Sequence, residues 1–366
     1  MSDTANRRSA LGRLLGESGL DALLVTDLIN VRYLTGFTGS NAALLISSES
    51  DDRSVFCTDS RYDLQSALEV PDLTRRIDRP CDEVLLTEAS GRVGFEARAV
   101  SVADHARFLA SVGEPQLVDT LDLVEGLRAV KDEGEIDALR TACAVADRAL
   151  ADLIESGGIR PGRTEREVGL DLDERMRRLG ASDPAFETIV ATGTNSAIPH
   201  HRPTSRPLTS GDLLKLDFGA AVAGYHSDMT RTFVLGRAVD WQLEIHALVA
   251  AAQSAGRDAA VVGATGAEVD AAARDIITAA GYGPAFAHGL GHGVGLQVHE
   301  APSLARGAAG TIRADMCVTV EPGVYLPGRG GVRIEDSGVV RAPSDTGEAG
   351  AGYEVLTLTT RDLVLL

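Results

Sequence analysis

The stretch LLKLDFGAAVAGYHSDMTRTF, Leu213 to Phe233, decides the architecture of this chain. It reads as a hairpin in which two apolar runs are joined by small residues, each run carrying one acid, Asp217 or Asp228. A turn around Val222-Ala223 is expected to put Asp217 directly across from Asp228. A second stretch, CVTVEPGVYLPGRGGVRIEDSGVV from Cys317 to Val340, repeats the layout, and a loop centred near Gly328 would set Glu321 across from Glu335. Like charges facing each other across a strand pair destabilise a sheet. Burying such carboxylates together costs far more unless cations neutralise them. A pair of divalent ions would cancel the charge of all four acids, so the pattern points to a two-metal hydrolase. With His292 added, the candidate metal ligands are Asp217, Asp228, His292, Glu321 and Glu335.

His292 lies in AFAHGLGHGVGLQVHEAP, Ala285 to Pro302, which also holds His288 and His299. On a helix the spacing of His288 and His292 would suit a zinc site. Gly289, Gly291, Gly293 and Gly295 speak against a helix, at a cost of about 1 kcal/mol each. Extended chain also places both imidazoles on one face, through its period of two. Glycine there would let the backbone come close to a ligand or metal. Each acid taken alone is an ordinary turn or surface residue, and the force of the argument comes from their pairing. Arg333 precedes Glu335 on the same strand face and is either a surface charge or a partner that orients that carboxylate.

Working outward, the segment from Val124 onward contains a faint internal repeat. Gly162, Thr164, Glu167 and Val168 recur at one constant offset as Gly263, Thr265, Glu268 and Val269. Both Thr/Glu pairs have capping-box spacing, and both helices so started would stop at a glycine, Gly180 or Gly281. Long amphipathic helices, Glu135 to Ser156 and Asp240 to Val262, precede them, and a hairpin carrying acids follows each. This half of the chain therefore reads as two similar αα-plus-hairpin units with the ligands gathered where they meet.

The first third alternates instead. A helix over 4–18, strands over 22–26, 42–47, 53–58 and 92–97, and a helix over 102–111 predict a small α/β domain. The boundary falls between about Val124 and Lys131, giving domains 1–126 and 127–366.

Composition narrows the function. At 366 residues with 44% hydrophobic residues the chain can build two ordinary cores. A formal net charge of -18 argues against nucleic acid and anionic membrane surfaces as partners. The polar N-terminus shows no signal peptide, and no run reaches the roughly 18 apolar residues of a membrane span. Cys57, Cys81, Cys143 and Cys317 are scattered without a CxxC and read as buried small hydrophobes in a reducing compartment. A cytoplasmic location is expected.

The segments LDFGAAVAGYHSDMTRTF, HGLGHGVGLQVHEAP, TVEPGVY and GVRIED stand in an order and spacing that resembles the pita-bread metallopeptidases: aminopeptidase P, prolidase and methionine aminopeptidase. The resemblance implies a pita-bread catalytic domain with a pseudo-twofold repeat behind a small α/β domain. It implies that Asp217 holds one metal, His292 and Glu321 the other, and that Asp228 and Glu335 bridge both. His200 in SAIPHHRP, rather than its neighbour His201, matches the family's substrate-side histidine, and His288 and His299 match its other active-site histidines. NVRYLTGFTGSNAALL (Asn30 to Leu45) and TDSRY (Thr58 to Tyr62) look like the first domain of aminopeptidase P and prolidase, which methionine aminopeptidases lack.

The implied activity is release of an N-terminal residue from peptides with proline in the second position, an Xaa-Pro aminopeptidase. A prolidase confined to dipeptides, or an aminopeptidase without proline preference, is the alternative. A creatinase-like hydrolase without metal, or a recognition domain that has lost catalysis, would lack ligands that are all present here. Two divalent ions are expected, manganese first, with zinc, cobalt or iron as alternatives. Glu321 is the expected proton acceptor, His299 the oxyanion donor, and His288 and His200 the groups that position the peptide. Arg333 is expected to steady Glu335. A homodimer is expected from the resemblance alone.

Overall fold

A computed structural model describes residues 4–111, 116–343 and 352–366. The chain divides into two compact units, Met1–Arg128 and Ala129–Leu366. Among the described residues no helix is long and apolar enough to cross a membrane.

The first unit is built on one mixed sheet. Its strands are Ala22–Val25, Ala42–Ser47, Val55–Thr58, Thr74–Ile77, Arg92–Glu96 and Gln116–Thr120, numbered β1 to β6, in the order β4-β3-β2-β1-β5-β6. β1 and β2 are apolar along almost their whole length and buried on both faces, which is why they sit in the middle of the sheet. The opening helix Thr4–Glu17 and the helix Val102–Ser111 fall where the sequence places them. The helix Leu28–Thr35 was not expected. Its start and stop are nonetheless written in the chain: the Asp27 side chain caps the Ile29 amide, and Gly36 ends the helix at φ 82°.

The second unit has the duplicated layout. Helices Glu133–Glu155 and Glu165–Arg178 precede a sheet of Ile189–Thr192, Leu213–Phe218 and Met229–Val234. Helices Asp240–Ala259 and Gly266–Ala279 precede a sheet that includes Gly291–Gly293, Cys317–Val320 and Asp336–Arg341. Thr164 with Glu167 and Thr265 with Glu268 both form reciprocal capping boxes. The correspondence extends to backbone detail. Gly162 and Gly263 adopt φ 91° and 94°, and their amides bond the carbonyls of Leu208 and Ile312. Each half buries its own core, Leu150, Val168, Leu172, Leu216 and Phe233 in one, Val249, Val269, Ile277, Val318 and Val340 in the other.

The first hairpin differs from expectation in register. Its turn is Ala223-Gly224, with φ of 51° and 85°, both positive as a two-residue primed turn requires. Val222 therefore pairs with Tyr225, and Asp217 pairs with Thr230 rather than Asp228. Moving the turn by one residue shifts the cross-strand partner by two. The strand period of two keeps both acids on one face, now as diagonal neighbours. The second hairpin follows its expected register. Gly323 pairs with Arg333 and Val320 with Asp336, so Glu321 and Glu335 face each other in the gap between two paired segments.

Candidate active site

One cavity of about 270 Å³ is lined by Asp217, Asp228, His292, Glu321 and Glu335, together with His200, His299 and Arg333. The side chains of Asp228, His292 and Glu335 converge most tightly, each offering a ligand atom within 4.8 Å of the others. His292 Nε2 lies 3.7 Å from Asp228 Oδ2 and 3.4 Å from Glu321 Oε1. His292 Nδ1 is 3.1 Å from the Gly293 carbonyl, so with the proton assigned there Nε2 turns its lone pair toward the acids. His288 Nδ1 stands 4.0 Å from Glu321 Oε2, and the His299 ring lies edge-on to that of His292, 4.4 Å between centroids.

The glycines of this segment serve a different contact from the one expected. A Cβ on Gly291 would meet the Thr319 carbonyl oxygen at 2.0 Å, and one on Gly293 would meet that of Ala301 at 2.0 Å. The backbone approaches neighbouring strands here, and the chain reaches the acids through His292 instead.

Arg333 also sits differently. Its guanidinium pairs with Asp217 and reaches Glu335 only through Thr230, whose hydroxyl accepts from Arg333 Nε at 2.9 Å and donates to Glu335 Oε2 at 2.7 Å. The long arginine side chain runs past the carboxylate on its own strand to the acid of the other hairpin. Arg333 Nη1 donates to the Tyr325 hydroxyl at 2.7 Å. That hydroxyl lies 2.9 Å from His288 Nε2, and His288 Nδ1 is 2.8 Å from the Gly289 carbonyl. With Nδ1 protonated, an unbroken chain runs from Arg333 through Tyr325 to His288.

Tyr325 and Thr230 had no assigned role in the sequence. The signal for Thr230 was the hairpin register, which sets it opposite Asp217. Lys215 is a third omission. A fully buried lysine inside the apolar strand Leu213–Phe218, on the same face as Asp217, is an anomaly that period-two reading exposes.

The charges are badly compensated by protein alone. Burial, and then the neighbouring carboxylates, push the carboxyls of Asp228 and Glu335 far above the usual range. Burial also works against the charge on Glu321, but His292, His288 and Arg333 together outweigh this and hold the carboxyl low. Burial opposes the imidazolium of His292, and Glu321 more than offsets that. Burial lowers His288 and His299 and drives the Tyr325 phenol up to about 12. Asp217 Oδ1 and Glu335 Oε1 are buried without a hydrogen-bond partner. Such atoms are rare and costly in a folded protein. Oxygen donors held together, short of cationic and hydrogen-bonding partners, with one imidazole among them, are the donor set of a divalent-cation centre. The residues fit the group.

Residues 137–342 match the metallopeptidase family M24, and residues 7–130 match the creatinase/prolidase N-terminal domain. The chain is 34% identical to the Xaa-Pro dipeptidase of Pyrococcus furiosus, over 98% of this chain and 99% of that one. Its structure superposes on an Xaa-Pro dipeptidase from Bacillus anthracis with a TM-score of 0.92 at 36% identity, covering 100% of both chains. An X-Pro aminopeptidase from Thermotoga maritima MSB8 gives 0.88 at 34% identity, again over 100% of both. With the buried carboxylate cluster in place, these matches make the chain a metal-dependent hydrolase and a member of the M24 metallopeptidase family, with a creatinase/prolidase domain ahead of its catalytic domain.

Proposed function

We propose that this chain is a two-metal Xaa-Pro dipeptidase that hydrolyses the bond between an N-terminal residue and a following proline. Reading from sequence alone puts the aminopeptidase first. The order is reversed here because relatives similar over their full length carry the dipeptidase name. The cavity of about 270 Å³ also supports a short substrate, lying just below the roughly 300–1,000 Å³ usual for ligand pockets. The likeness to the Thermotoga maritima enzyme keeps Xaa-Pro aminopeptidase as the second reading. The observation that carries the metal centre is the pair of partnerless buried oxygens, Asp217 Oδ1 and Glu335 Oε1, inside a cluster of four acids.

Asp217 would hold one cation, His292 and Glu321 the other, and Asp228 and Glu335 both; the hard oxygen donors suit manganese first, then zinc, cobalt or iron. Such a centre, when bound, would supply Lewis-acid polarisation of the scissile carbonyl and acidify the attacking water. Glu321 stands at the edge of the cluster, where it can take the proton of the attacking water and pass it to the departing proline nitrogen. His299, beside His292, donates to the oxyanion. His288, held by Tyr325, and His200 orient the peptide. Phe186, Ile189 and Val298 give the cavity an apolar wall against which a proline ring can pack.

The test compares turnover of Xaa-Pro dipeptides, Xaa-Pro-Yaa tripeptides and proline-free dipeptides, with manganese and with chelator. The dipeptide with proline should be cleaved fastest and only with metal. Tripeptides turned over as well as dipeptides would replace this reading by the aminopeptidase one.

A further inference from the structure

Lys215 is 0% exposed in the middle of the catalytic sheet, a place where an unpaired ammonium is expensive. Its Nζ donates to two consecutive carbonyls, that of Ile198 at 2.8 Å and that of Pro199 at 3.2 Å. Arg333 Nη1 converges on the same Pro199 oxygen at 3.3 Å. The Tyr325 ring lies under the amine, 5.0 Å from its centroid. The next residue along the held segment is His200, exposed and facing the cavity.

The far side of that segment is anchored separately. Buried Glu165, the first residue of its helix, accepts from the Thr204 amide at 3.0 Å and lies 2.9 Å from His201 Nε2. Both adjacent histidines line the cavity, but the Nε2 of His201 is engaged by Glu165, whereas His200 is the exposed one of the two. His200 is thus suspended between two fixed points, and Lys215 makes one of them.

We propose that Lys215 is a positioning residue that presents His200 to the substrate by clamping the Ile198 and Pro199 carbonyls. The inference rests on His200 being a substrate-facing group. An amine keeps at least two N–H donors in either protonation state, one for each carbonyl, so the clamp does not depend on the charge of Lys215. Losing it would release the Ile198 carbonyl and leave that of Pro199 to Arg333 alone, letting His200 drift. A displacement of roughly 1 Å in such a group can cost up to about a hundredfold in rate.

The test is a double-mutant cycle on the metal-loaded full-length enzyme with an Xaa-Pro dipeptide, combining Lys215→Gln with His200→Ala. Lys215→Met serves as a stronger version of the same cut; the glutamine variant keeps a donor and guards against a misfolded product. With His200 present, Lys215→Gln should lower kcat/KM by about tenfold, with bound metal unchanged. In the His200→Ala background the same change should have an effect below about twofold, because the group being positioned is gone. Equal losses in both backgrounds would make Lys215 merely structural and overturn the proposal. So would full activity of both lysine variants when His200→Ala alone is impaired. A His200→Ala enzyme with undiminished turnover would overturn the reading of His200 itself, and this inference with it.

Discussion

Glu335 and Asp336 are neighbours in the chain, both buried, and live in opposite electrostatic worlds. Asp336 points into the domain scaffold. It accepts from Arg231 at 2.8 Å, Gln253 at 2.6 Å and Thr357 at 2.9 Å, and pairs with Arg361 as well. Burial works against its charge, but Arg231 and Arg361 overcome that and keep the carboxyl below its ordinary value. Glu335 points into the cavity. It has one hydroxyl partner on Oε2, nothing on Oε1, and other carboxylates around it. The strand alternation separates a charge that the protein satisfies from one that it leaves for something else to satisfy. Glu96, in the first unit, is the intermediate case. It accepts from the amides of Thr26 at 2.7 Å and Asp27 at 2.8 Å and from Asn30 at 2.7 Å, without a cation, and burial lifts its carboxyl to about 7.

Breaking the comparison at Glu335 should have the largest effect. Glu335→Gln removes a charge that only cations compensate, so manganese affinity and turnover should fall together, turnover by about a thousandfold or more, in line with the several kcal/mol that metal catalysis supplies. The metal-free protein should lose no stability, since an uncompensated buried acid has been neutralised. Calorimetric metal titration and urea unfolding read the two halves; retained metal with full turnover would refute the scheme.

Asp336→Asn should behave in the opposite way. It strands Arg231 in the interior, and removing one partner of a buried ion pair costs about 3–5 kcal/mol. Urea unfolding of the metal-free protein should show that loss directly. A stability change as small as that of Glu335→Gln would mean the two acids are not different in kind.

Glu96 sharpens the series through pH. Its folded pKa is raised above the unfolded value of about 4.5, so its stabilising contribution is complete below pH 4.5 and disappears as pH rises through about 7. Relative to Glu96→Gln, the wild-type chain should lose on the order of 3 kcal/mol across that window. Unfolding curves of the two proteins whose separation stays constant from pH 4.5 to 8 would show that the amide donors hold Glu96 ionised throughout.

Much of this was legible beforehand because periodicity, caps and turns are local. The capping boxes at Thr164 and Thr265 and the acids on alternating positions needed no tertiary knowledge. The register of the first hairpin failed by one residue because Ala223 takes a positive φ, which a non-glycine residue rarely adopts. Sequence could not say whether Arg333 would serve Glu335 on its own strand or Asp217 across the site, because that depends on how the two hairpins are laid side by side. Tyr325 stood within the quoted segment TVEPGVY, yet its role follows from meeting His288, far away in sequence.

The backbone amide of Glu335 bonds the Thr230 carbonyl at 3.1 Å, and that of Glu321 bonds the Leu290 carbonyl at 2.8 Å. Each acid of the second hairpin is therefore stitched by main chain to a segment outside that hairpin. The width of the slot offered to ions is gauged by peptide groups that no side-chain replacement touches. Substitutions at the acids change the donors that line the cavity, while these two main-chain bonds to Thr230 and Leu290 need no side chain to persist.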